Sequence, residues 1–237
     1  MRLTLRAGVS ARSVGAWVLV LGGLGVARQL PLRDDSLART PTGRQLLKYI
    51  VDCALPDTDT VQVVTDSGTL SLPGDLGLAP EWSIRPLRDP ERRQVSSCLA
   101  ARTNFFGKPV RISLRGESPR APDGLRSDSA ERRQFPYFEG AFFGDYFAAS
   151  PVAYVCIGDT GAGRVAHLES LLRVCTLPKD GSSGLSRCNF RIVGNCRDRP
   201  FVQAGVDYTR EVIQVYLPGP PPGPTGSRGV DRRPAAR

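Results

Sequence analysis

The order of apolar patterns along these 237 residues specifies an α+β domain. It is an antiparallel sheet with two to three helices, closed by disulfides into a single body. Helical stripes and alternating runs follow one another without the regular βαβα alternation that builds a parallel sheet. Six cysteines, an even number, all fall after an apolar leader. Hydrophobic residues at 41% and charged residues at 23% give a globular balance, which excludes collagen, coiled coil and wholesale disorder.

Arg2, Arg6 and Arg12 precede an apolar run from Val14 to Ala27 with no acid among them. Fourteen residues make a helix of about 21 Å, short of the roughly 20 residues a bilayer core requires. The run ends in Gly25-Val26-Ala27. Residues 1–27 therefore read as a secretory signal peptide cleaved after Ala27 rather than as a retained membrane anchor. Residues 28–43 read as a linker, 44–217 as the disulfide-stabilised domain and 218–237 as a disordered Pro/Gly/Arg tail.

Thr40-Pro41 opens the first helix, with Thr as N-cap and Pro at the first helical position. In Arg44–Leu55 the apolar residues fall at 46, 47, 50, 51 and 54, one buried stripe, and Pro56 ends it. Two β-type runs at 61–64 and 69–72 flank a Gly-containing turn and predict a hairpin. Asp89-Pro90-Glu91 starts a second helix, its acids favoured by the dipole there. On that helix Cys98 shares the inward face of Val95 and Leu99. Lys108–Arg115 alternates apolar with Arg and Ser, as a half-buried strand does. Residues 116–134 carry eight charges and read as a mobile loop. Strands are expected at 151–157 and 208–217, and a helix at 164–174.

Net charge is +9 over the whole chain, and loss of the three leader arginines takes it to +6. The tail holds four Arg and one Asp, so basic character sits mostly at the ends. That argues against a specific nucleic-acid surface, which needs cations clustered on a folded face. Cys53, Cys98, Cys156, Cys175, Cys188 and Cys196 fit three disulfides in an oxidising compartment. Sequence neighbourhood suggests the pairs 53–98, 156–175 and 188–196. One His and no C-x-x-C leave no ligand set for a structural metal. No cofactor is expected.

Residues 135–147 hold seven of the seventeen aromatic side chains. Tyr137, Phe138, Phe142, Phe143 and Tyr146 are the candidate ligand-binding rings, for a sugar or an apolar group. Their simplest alternative role is core. Glu139 among them is a candidate carboxylate with a raised pKa, the general-acid pattern of glycosidases, although that chemistry needs a second acid 5–10 Å away. Asp145 is the local nominee. Asp159-Thr-Gly-Ala is similar to the active-site turn of aspartic proteases, and a surface turn is the simpler reading. His167 is the only imidazole, so any Ser–His or Cys–His mechanism passes through it. Arg111, Arg115 and Arg120 are a candidate anion patch.

Three stretches resemble a group of uncharacterised exported proteins of high-GC bacteria such as myxobacteria. They are LLKYIVDCALP (46–56), CLAARTNFFGKPVRISLRG (98–116) and FEGAFFG (138–144) followed by AYVC (153–156). The resemblance implies no activity. Together these readings lead to an expected secreted or periplasmic, non-catalytic binding domain of the envelope, its partner a cell-envelope glycan or protein. A secreted hydrolase using a carboxylate pair with Glu139 or Asp159 is the alternative.

Overall fold

The computed structural model describes residues 16–21, 27–32, 36–65, 68–107, 109–116, 125–158, 173–179 and 184–219. The expected leader and linker contribute β1 (Ala16–Leu21), β2 (Ala27–Leu32) and α1 (Ser36–Arg39). Then come α2 (Pro41–Ala54) and the hairpin β3 (Thr60–Thr65)–β4 (Gly68–Pro73). Strands β1 to β4 form an antiparallel sheet in the order β2-β1-β3-β4. After α3 (Asp89–Arg102) follow β5 (Ser113–Gly116), α4 (Ser129–Gln134), β6 (Tyr137–Asp145) and β7 (Val152–Ile157). The chain continues through β8 (Arg191–Asn195), a small ribbon β9 (Val202–Gln203)–β10 (Val206–Asp207), and β11 (Ile213–Leu217). The second large sheet has the order β5-β11-β6-β7-β8. The α+β class is therefore established.

Thr40 caps α2 through its Oγ1, which accepts the Gly43 N–H at 3.0 Å. Pro56 stops the helix, and the following chain satisfies its C-terminal carbonyls. Leu76, Leu78 and Ala79 donate their N–H groups to Asp52, Cys53 and Ala54 at 2.8, 3.1 and 2.8 Å. Gly74 runs so close to this helix end that a Cβ there would meet the Pro56 carbonyl oxygen at 2.3 Å. At the start of α3 the buried Glu91 carboxylate accepts the Arg88 N–H at 2.8 Å and is gripped by both Arg85 Nη atoms.

The second sheet divides two apolar clusters because successive strand residues point to opposite faces. Phe142, Val155, Ile213 and Val215 pack with α2, α3 and the first sheet. Ala141, Phe143, Tyr154 and Cys156 pack under the segment carrying Phe201 and Tyr208. Three disulfides cross this body, and no free cysteine remains. Cys53–Cys98 ties α2 to α3, as expected from their helical faces. The other pairs are Cys156–Cys196 and Cys175–Cys188, which corrects the expected 156–175 and 188–196. The cause is that β8 runs beside β7, which brings Cys196 at the end of β8 to the strand bearing Cys156.

The β7–β8 pair is parallel, so the sheet is mixed rather than purely antiparallel. The connection over 158–190 is long enough for the crossover that parallel strands require. Of the expected strand 108–115 only Ser113 onward joins the sheet. The β5–β11 ladder ends at the pair Tyr216–Ser113. The expected loop 116–134 contains α4, capped by Asp128 Oδ1 on the Glu131 N–H at 2.7 Å. The last strand starts at Ile213, not 208. The expected helix 164–174 lies outside the described residues up to 172, as do residues 1–15 of the leader and 220–237 of the tail. Among the described residues no helix is long and apolar enough to cross a membrane.

Candidate functional site

Strand β6 is central in its sheet, flanked by β11 and β7, and both its faces are covered. Phe142 and Phe143 are fully buried, which removes their rings from any ligand surface. Phe143 lies 5.4 Å from the Tyr154 ring in a stacked arrangement and 5.6 Å edge-on from Phe201. Phe142 meets Phe190 edge-on at 5.9 Å on the other face. Tyr137 and Phe138 are half-buried, Phe138 leaning on Tyr216 at 5.1 Å. Tyr146 sits past the strand end, where its N–H donates to Ser96 Oγ of α3 at 2.8 Å and burial pushes its phenol pKa up. The aromatic run is thus mainly two-sided core, with Tyr137 and Phe138 toward the margin and Phe147 exposed at its end.

Glu139 owes its position to a bulge in the β6–β11 ladder between Val215 and Tyr216. A bulge re-aims a side chain. Here the Glu139 carboxylate is 5% exposed and accepts a 2.7 Å bond from Nε of Arg173, itself 1% exposed. Arg173 also donates to the Ala101 carbonyl at 2.7 Å and lies 5.6 Å over the Phe142 ring. Burial raises the Glu139 pKa above its ordinary value, while the guanidinium pulls it down. The raised pKa expected from the sequence is present, but the carboxylate is spent on an internal partner. Asp145 lies six steps along the strand from Glu139, about 20 Å at ~3.3 Å per residue. That is beyond the spacing of a glycosidase pair.

The candidate cations do not converge on open space. Arg115 lies 3.7 Å over Tyr216 and donates to the Phe135 carbonyl at 2.8 Å. Arg111 covers the Phe135 ring at 5.5 Å. Arg120, Asp159 and His167 lie outside the described residues. Among the described residues no group of three or more His, Cys, Asp or Glu side chains is placed to hold a metal ion.

Open cavities remain among the described residues. One of about 330 Å³ lies beside the Cys156–Cys196 disulfide, lined by Phe138, Arg199, Thr209 and Gln214 among others. Another, about 400 Å³, is lined by Asp89, Arg92, Arg93, Asp145, Phe147 and Tyr208. Arg93 Nη2 donates to Glu211 Oε1 at 3.2 Å, and its guanidinium lies 5.9 Å from the Tyr208 ring centre. Arg92 pairs with Asp89. Asp145 Oδ1 accepts the Phe147 N–H at 2.8 Å. Desolvation raises the Tyr208 pKa, with the nearby Tyr154 and Asp145 adding to it. Phe147, in the lining, is 38% exposed. Sequence reasoning missed this group, apart from a weak nomination of Asp145. Its residues come from three segments, each more than 50 positions from the next, and no local pattern joins them.

Comparison with known proteins found no matching family model, no matching curated protein and no matching solved structure.

Proposed function

We propose that this chain is an exported, non-catalytic binding module of the cell envelope, secreted or periplasmic. The observation that carries the reading is the closure of all six cysteines into three bridges inside one body. Such bridges persist where the surroundings are oxidising. A leader of the secretory type precedes them in the sequence. The binding role is favoured over hydrolysis because the carboxylate nominated as acid, Glu139, is buried against Arg173. A general acid needs reach to a substrate proton.

Intact mass measurement of the exported protein under non-reducing conditions tests this directly. The expected product begins at Arg28 and so lacks β1, which leaves the β3–β4 hairpin of the first sheet; it carries no alkylatable thiol and gains six alkylation sites on reduction. A product that retains the leader and shows free thiols refutes the reading. Glycan and peptide hydrolysis by the same preparation, abolished by Glu139→Gln, would establish the hydrolase instead.

A further inference from the structure

We infer that the cavity at the start of α3 binds an uncharged sugar ring of a glycan. This rests on the binding-module reading above and gives it a site and a ligand class. A volume of about 400 Å³ falls in the ordinary range for small-ligand sites. Its walls come from well-anchored elements: the first turns of α3, the β6–β7 turn with Phe147, and Val206–Tyr208 at β10. Tyr208 is buried and meets Phe143 in a tilted ring contact at 5.4 Å.

Charge decides the ligand class. Two guanidiniums, Arg92 and Arg93, face two carboxylates, Asp89 and Asp145, so the lining favours neither an anion nor a cation. What such a lining offers is strong donors and strong acceptors side by side. Adjacent hydroxyls of a sugar use both, since each hydroxyl donates once and accepts, and charged partners make the stronger bonds. Each guanidinium makes one ion pair, Arg92 with Asp89 and Arg93 with Glu211, and the two side chains stay 38% and 19% exposed, which leaves further N–H groups for a ligand.

The aromatic groups supply the rest. Phe147 is one of only a few large apolar side chains left exposed among the described residues. It lines the cavity together with Tyr208, Val152 and Val206. A pyranose has an apolar C–H face and a polar hydroxyl edge, and a lining that holds both rings and charged groups offers a partner to each. The second cavity lacks this combination, because no acid lines it.

The test uses the exported protein with its disulfides closed, and calorimetric titration with chitotetraose, cellotetraose and maltotetraose as probes. The expected result is saturable 1:1 binding of at least one. Arg92→Ala and Phe147→Ala each weaken it about tenfold, the effect of losing one charge-assisted bond or one stacking face, at an unchanged melting temperature. Gln214→Ala, in the other cavity, leaves it unchanged. Asp145→Asn is the second polar variant and weakens binding in the same direction. Absence of binding to all three probes, with three disulfides intact, overturns this inference and leaves the module reading standing. Binding that survives Arg92→Ala and Phe147→Ala but is lost in Gln214→Ala also overturns it. Cleavage of a probe refutes the non-catalytic reading itself.

Discussion

Replacing Arg173 by methionine removes the partner of a carboxylate that is 5% exposed and held at 2.7 Å. An isolated buried charge is costly, and breaking one side of such a pair typically costs about 3–5 kcal/mol. The lost bond to the Ala101 carbonyl contributes to that total. With a urea dependence of about 2 kcal/mol per molar, the unfolding midpoint of Arg173→Met falls by ~2 M at pH 7. The double variant Glu139→Leu/Arg173→Met recovers most of the loss, because no unpaired charge is left. The deficit also depends on pH. Burial raises the folded pKa of Glu139 above its ordinary 4.5, so the folded carboxyl holds a proton that the unfolded one has released. Stability then falls as pH rises from 4.5 through the raised value. Without the opposing guanidinium that raised value moves higher, so acidifying Arg173→Met from pH 7 to pH 5 restores part of its midpoint. The assay is equilibrium urea unfolding with disulfides intact at both pH values. A loss under ~1 kcal/mol, or a midpoint deficit independent of pH, would refute the claim that this pair is desolvated.

Non-reducing peptide mapping is expected to return Cys53–Cys98, Cys156–Cys196 and Cys175–Cys188, and any 188–196 peptide contradicts the topology of β7 and β8. Because the first bridge spans 45 residues and the third 13, paired Ala substitution costs about 4 kcal/mol at Cys53/Cys98 and about 3 at Cys175/Cys188, read from urea midpoints. Thr40→Ala removes the α2 cap and lowers stability by ~1 kcal/mol in a thermal melt, and Thr40→Ser restores it. Gly144→Ala meets both a φ of +151° and the Val152 carbonyl oxygen at 2.3 Å, so its melting temperature falls by several degrees, whereas an unchanged melt would mean the β6–β7 turn yields easily.

Where a signal is local, the sequence is a good guide. Helix α2 begins at its Thr-Pro cap and ends at its proline, because capping and the missing proline N–H act within one turn. The β3–β4 hairpin and the Cys53–Cys98 bridge are likewise readable, the latter from inward positions on two amphipathic helices. The aromatic run illustrates the limit. Its residues look like a platform in one dimension, yet a central strand has both faces covered, and Phe142 and Phe143 become the middle of two different clusters. Glu139 could be nominated as a perturbed acid because it stands among rings. Its partner Arg173, 34 positions away, could not be found without the fold. The cavity of Arg92, Arg93, Phe147 and Tyr208 is invisible for the same reason: its members share no period, spacing or motif.

By itself the chain order determined the α+β class, the principal caps and stops, and an even set of cysteines behind an apolar N-terminal run. These follow from interactions between near neighbours and from solvent preference. Tertiary structure alone decided which sulfurs meet, which face of β6 each ring enters and which charges share a cavity. Those outcomes depend on how strands are ordered in space, and strand order is set by long connections whose closure leaves no local mark in the residues that it joins.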